Sequence, residues 1–172
     1  SDTAAQYKVM NAANYDGGTI GNHEFNYGLA FLSQVTVKVL NVDVPGMPTT
    51  NCAGPDFPLV LANVYSVKTG APLFDPYKII TKTFSAVGPD GQGVNVQLKV
   101  GIIGFTPPPI MNWDKRWLDG KVYTIGAVEA AQKYIPEMRS KGADLIVVLC
   151  HGGLDNSPYD PKMENICYYV AQ

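Results

Sequence analysis

Residues 144–151 read Asp-Leu-Ile-Val-Val-Leu-Cys-His, and two glycines follow. An unbroken apolar run of that length, rich in β-branched side chains, fits a strand buried on both faces of a sheet. In open α/β sheets, ligands bind beyond the carboxyl ends of the strands. His151 falls at such an end, and Gly152 and Gly153 leave the backbone free to turn there. One short run thus fixes a fold class, α/β, and marks where a site can lie.

The rest of the chain alternates between helix and strand patterns. Residues 3–15 carry apolar side chains three and four apart, a helical spacing. Gly18-Thr19-Ile20 offers a short strand. Residues 27–40 fit an amphipathic helix, although Val35-Thr-Val-Lys-Val39 alternates like a strand and blurs its end. Residues 41–58 are rich in Pro, Gly, Thr and Asn and form a loop; residues 58–64 follow as a strand. Residues 77–87 and 94–105 flank Gly88-Pro-Asp-Gly-Gln-Gly93, a hairpin turn signal with an architectural role. The second arm ends in Gly101-Ile-Ile-Gly-Phe105 and should feed a central strand. Residues 127–141 form a helix in which Pro136 is expected to cause a kink or a missing backbone bond. Residues 163–172 are helix-like. No repeat, linker or low-complexity tract divides residues 1–172 into domains.

Composition excludes several function classes. With 46% hydrophobic and 16% charged residues the chain is globular. A net charge of −2 without a Lys/Arg cluster argues against a nucleic-acid polymer as partner. No apolar run is long enough to span a bilayer, so no membrane partner is expected. The three cysteines form no metal-binding spacing. Cys150 reads as a small buried apolar residue, whereas Cys52, in the loop Asn51-Cys-Ala-Gly-Pro55, is open to a disulfide with Cys167 or with a lost segment.

The chemistry concentrates in Gly21-Asn22-His23-Glu24-Phe25-Asn26-Tyr27-Gly28. Asn22 offers a neutral oxygen able to ligate a metal. His23 offers a metal ligand, a proton, or a charge for a developing oxyanion. Glu24 can accept a hydrogen bond from the imidazole and fix its tautomer. The chain has only two histidines, His23 and His151. If both flanking strands form, the two gather at one rim.

These residues resemble the calcineurin-like metallophosphoesterases, whose middle motif is GNH[DE] and whose later motif places a His after a strand. Phe57-Pro-Leu-Val-Leu-Ala-Asn63, Gly101–Phe105, Ile110-Met-Asn-Trp-Asp-Lys115, residues 118–122 and residues 136–144 are similar to the bacterial 2′,3′-cyclic-nucleotide 2′-phosphodiesterase/3′-nucleotidases of the 5′-nucleotidase branch. The resemblance runs in unbroken order through essentially the whole chain. It implies an α-β-β-α sandwich, mixed sheets flanked by helices, here incomplete. It further implies a hydrolase with two divalent metal ions (Zn, Mn, Fe, Co or Mg), nucleotide small-molecule substrates and a periplasmic or cell-envelope location. Carried over, Asn22 and His151 are metal ligands, His23 faces the phosphoryl group, and Glu24 is the candidate carboxylate that orients His23.

Departures from the pattern matter as much. The branch often has His-Ser-Gly where this chain has His151-Gly-Gly. Its first metal motif, Asp-x-His, and its last, Gly-His-x-His, need histidines this chain does not have, and Asp16-Gly17 does not reproduce the second. The expectation is a partial catalytic domain, lacking those motifs and a C-terminal nucleotide-binding domain, with negligible activity alone and exposed apolar edges that favour self-association. The helical patterns at both ends, which start and stop abruptly, point the same way. A 5′-nucleotidase or UDP-sugar hydrolase is the near alternative; a noncatalytic binding module that has lost its metal site is the distant one. Thr106-Pro-Pro-Pro109 should form a stiff, extended exit from its strand. Trp113 beyond it is expected to anchor that loop to the core more than to stack on a base.

Overall fold

The computed structural model describes residues 4–44 and 53–172. Helix α1 (Ala5–Ala12) leads into strand β1 (Gly18–Thr19), a single 3₁₀ turn (His23–Phe25) and helix α2 (Gly28–Thr36). Strands β2 (Leu59–Val60), β3 (Val64–Ser66), β4 (Tyr77–Val87) and β5 (Gly93–Phe105) follow. Two short helices, α3 (Ile110–Trp113) and α4 (Lys115–Leu118), precede β6 (Val122–Thr124), helix α5 (Ala127–Ser140), strand β7 (Leu145–Cys150) and helix α6 (Cys167–Val170). The result is a mixed α/β fold with sheets flanked by helices, as the sequence implied.

The central sheet has the order β4-β5-β7. The hairpin pairs β4 and β5 antiparallel from Tyr77↔Ile103 to Val87↔Gly93, close to the boundaries its turn residues predict. β5 pairs β7 in parallel, from Val100↔Leu145 to Phe105↔Cys150. Two small sheets, parallel β1-β2 and antiparallel β3-β6, complete the strands. They join the central sheet where Ala62 N–H donates to Gly104 O over 2.7 Å.

Glycine at two positions lets layers close on β5. A Cβ at Gly101 would meet Met138 Cε at 2.5 Å, so its absence lets α5 lie against the strand. A Cβ at Gly104 would meet Thr19 Oγ1 at 2.2 Å and Val60 O at 2.5 Å, so here the small sheet closes in. One core cluster gathers Ile20, Phe25, Leu29, Leu32, Leu61, Ile110 and Leu118. A second packs Ile103 and Phe105 against Ala127, Ala130, Tyr134 and Met138 of α5. Tyr134 of that cluster shares a 2.6 Å hydrogen bond with the buried Tyr65 hydroxyl, and burial pushes the Tyr65 phenol up to about 12.

Several expectations need correction. β7 is not buried on both faces: it is the last strand of its sheet, and Leu145 and Val147 are 47% and 42% exposed. Cys150 is accordingly only half-buried. Residues 58–64 split into β2 and β3, because Asn63 turns inward and exchanges hydrogen bonds with the Thr106 backbone (2.8 and 3.1 Å). α2 ends at Thr36, where Val37 adopts a left-handed conformation (φ 54°) that a β-branched residue rarely takes. Pro109, with φ −61° and ψ −4°, opens α3, so the triple proline leads into a turn and not an extended exit. Proline's fixed φ suits a helix start as well as an extended chain. The helix expected over residues 163–172 shrinks to four residues, Cys167–Val170. α5, by contrast, keeps to expectation: it runs through Pro136, which forfeits one backbone bond. Cys52 lies outside the described residues, and with it any pairing to Cys167.

Candidate active site

β1 ends against the fully buried Ile20, and Phe25, also fully buried, pins the far side of the 3₁₀ turn. Between these two apolar anchors the backbone presents Gly21, Asn22, His23 and Glu24 on the rim. The opposite wall comes from β7. His151 N–H donates to Phe105 O over 2.9 Å, which extends the β5–β7 ladder one residue past the strand. Asn22 Oδ1 and His151 Nε2 then lie 2.7 Å apart, across 129 positions of sequence. Gly21 is indispensable to that approach: a Cβ there would come within 2.8 Å of His151 Cε1 and 2.9 Å of Nδ1.

His23 is held by a partner the sequence did not single out. Its Nδ1 lies 2.8 Å from Asn26 Oδ1, and Asn26 Nδ2 lies 3.1 Å from each carboxylate oxygen of Asp114. The Trp117 indole N–H donates to Asn26 O over 2.8 Å and fixes the same residue from its backbone side. Asp114 is buried, 5% exposed, at the junction of α3 and α4.

Glu24 does not orient His23. Its Oε2 accepts from Gly21 N–H over 2.8 Å, so the carboxylate folds back on the turn. The reason is helical spacing. Residues three apart share a face of a 3₁₀ turn, which pairs Asn26 with His23, while Glu24 reaches back to the free N–H of Gly21 ahead of the turn, as a carboxylate near a helix start does. That offset was visible in the sequence; Asp114, 88 positions further on, had no local signal. Trp113 is 47% exposed, and the loop's anchor is Trp117 instead. Burial pushes the Cys150 thiol up, which disfavours the thiolate.

A neutral oxygen from Asn22 and an imidazole nitrogen from His151 suit two corners of a mixed N/O metal site. Among the described residues, no group of three or more His, Cys, Asp or Glu side chains could hold a metal ion. The donor types fit; the donor number does not.

Among solved structures, the chain matches the calcineurin-like phosphoesterase YfkN from Bacillus subtilis with a TM-score of 0.81 and 40% identity, over 98% of this chain and 44% of that one. It matches a putative 5′-nucleotidase from Staphylococcus aureus with a TM-score of 0.64 and 27% identity, over 95% of this chain and 27% of that one. In fold the chain is thus similar to a calcineurin-like phosphoesterase. In sequence it is 45% identical over 166 residues to the 2′,3′-cyclic-nucleotide 2′-phosphodiesterase/3′-nucleotidase of Yersinia enterocolitica, covering 96% of this chain and 22% of that protein. The Salmonella typhimurium protein of the same name is 44% identical over 171 residues, covering 99% of this chain and 23% of that protein. The chain thus spans less than a quarter of the length of these relatives. No family profile matches it.

Proposed function

We propose that this chain forms one wall of a two-metal centre that hydrolyses phosphate esters of nucleotides, with 2′,3′-cyclic nucleotides and 3′-nucleotides as substrates. The observation that carries this reading is the 2.7 Å approach of Asn22 Oδ1 to His151 Nε2, with His23 next in the chain. In such centres the metal ions lower the pKa of a bound water and clamp the phosphoryl oxygens. Asn22 and His151 are assigned as two metal ligands, the remaining donors coming from outside these residues. His23 is assigned to the charge on the departing oxygen, as a proton or hydrogen-bond donor. Glu24 acts indirectly, by holding the Gly21 amide and hence the turn that carries both neighbours. The metal, whether Zn, Mn, Fe, Co or Mg, is left open by a mixed N/O donor set.

Assaying a complete catalytic domain that carries this segment against 2′,3′-cyclic AMP, 3′-AMP and 5′-AMP tests the reading. Preference for the first two is expected; preference for 5′-AMP would move the protein to the 5′-nucleotidases, and inertness towards all three would leave the noncatalytic module. The isolated 172 residues are expected to be inactive, because two donors do not make a dinuclear site. In the complete domain, Asn22→Ala and His151→Ala are each expected to lower metal occupancy by about 10-fold or more, read by elemental analysis after dialysis.

The location follows from the same reading, in the periplasm or cell envelope. Among the described residues no helix is long and apolar enough to cross a membrane. Leu145, Val147 and Val148 of β7, with Phe84, Val94 and Val96 of the hairpin, leave much apolar surface on the central sheet in solvent. The isolated chain is therefore expected to self-associate, since exposed apolar patches drive association. A monodisperse monomer in light scattering would count against that.

A further inference from the structure

The geometry points to Asn26 and Asp114 as positioning residues that lock the ring proton of His23 onto Nδ1 and leave Nε2 as the atom available to substrate. The inference deepens the proposed phosphoesterase reading and rests on it for its purpose, though not for its geometry.

It follows from counting donors and acceptors. An ionised carboxylate only accepts hydrogen bonds. Asn26 must therefore turn its amide nitrogen toward Asp114, where both oxygens lie at 3.1 Å. With the amide nitrogen committed, its oxygen faces His23 Nδ1 at 2.8 Å. An amide oxygen also only accepts, so Nδ1 must carry the hydrogen. A free neutral imidazole prefers the opposite tautomer, with its hydrogen on Nε2. The relay reverses that preference through one amide.

A purely structural role for the same contacts explains less. Asp114 and Asn26 do tie the 3₁₀ turn to the α3–α4 junction, with the Trp117 indole N–H bonded to Asn26 O at 2.8 Å. A second amide at position 114 would tie the same elements without burying a charge, and burying a carboxylate is costly. What the carboxylate adds is direction. Two facing amides can each flip, whereas an acceptor-only group fixes which end of Asn26 points at the histidine. The neutral amide also keeps the negative charge one residue away from the ring.

The test reads the tautomer itself. Two-bond ¹H–¹⁵N correlation spectra of the ¹⁵N-labelled, metal-free chain distinguish Nδ1–H from Nε2–H. With only two histidines, a His151→Gln variant assigns the signals. In the native chain His23 is expected as Nδ1–H. Asp114→Asn is expected to lose that signature in favour of Nε2–H, and the exchanged pair Asn26→Asp with Asp114→Asn to restore it. An Nε2–H ring in the native chain, or an Nδ1–H ring that persists in a folded Asp114→Asn variant, overturns the inference. The native spectrum alone decides if a variant fails to fold. An Nδ1–H ring in a protein whose complete form hydrolyses no nucleotide ester would remove the functional reading and leave the lock standing; an Nε2–H ring beside full activity would do the reverse.

Discussion

Replacing His23 with Ala in a complete catalytic domain is expected to lower kcat by about 10²–10⁴-fold, the usual contribution of general acid–base help. The metal content should stay nearly intact. The two effects separate because of where the side chain sits. His23 Nδ1 is committed to Asn26 at 2.8 Å, whereas the pair assigned to the metal is Asn22 and His151, 2.7 Å apart. A group that acts only on charge developing in the transition state lowers kcat and kcat/KM together. A ligand would instead show as lost metal. Steady-state kinetics paired with elemental analysis distinguishes these, and a His23→Ala protein stripped of metal beside a metal-replete His151→Ala protein means that the roles are exchanged.

Gly104→Ala is expected to destabilise the isolated chain by about 3 kcal/mol, at the upper end for adding a methyl group to a packed site. The new Cβ would meet Thr19 Oγ1 at 2.2 Å, Val60 O at 2.5 Å and Thr19 Cβ at 2.8 Å. Two of these contacts are backbone or Cβ atoms that cannot rotate away, so β1 and β2 must withdraw from β5. Withdrawal breaks the Ala62 N–H to Gly104 O bond. It also shifts β1, from which the chain leads to Asn22, relative to Phe105 O, which holds the His151 backbone. For a domain of this size, about 3 kcal/mol corresponds to a fall of roughly 10 °C in Tm. A thermal melt checks it, and a Tm within about one degree of the native value would show that the layers have slack there.

Much of this architecture was legible from local pattern. The hairpin was, because Gly88-Pro-Asp-Gly-Gln-Gly93 supplies turn residues between two long strand patterns, and β4 and β5 match it to within a residue. α5 was, because its apolar positions fall on one helical face. The position of His151 at a strand end was, too. The burial of β7 was not: an apolar run reads alike whether or not a further layer covers it, and only the strand order shows β7 last in its sheet with Leu145 and Val147 in solvent. The break at Asn63 was equally hidden. Its side chain satisfies the Thr106 backbone 43 positions away, a partner no sequence window contains.

The candidate site divides in the same way. Gly21, Asn22, His23 and His151 announced themselves by residue type and by the scarcity of histidine in this chain. Residue type and spacing are local properties, and sequence holds them in full. The carboxylate behind His23 was a tertiary matter. Glu24, its chain neighbour, faces Gly21 N–H, while Asp114 reaches it through Asn26 from another helix junction. Sequence determined which groups exist and which face of a turn each takes. Packing decided which of them meet, because a hydrogen bond depends on a separation of about 3 Å in space and is indifferent to separation along the chain.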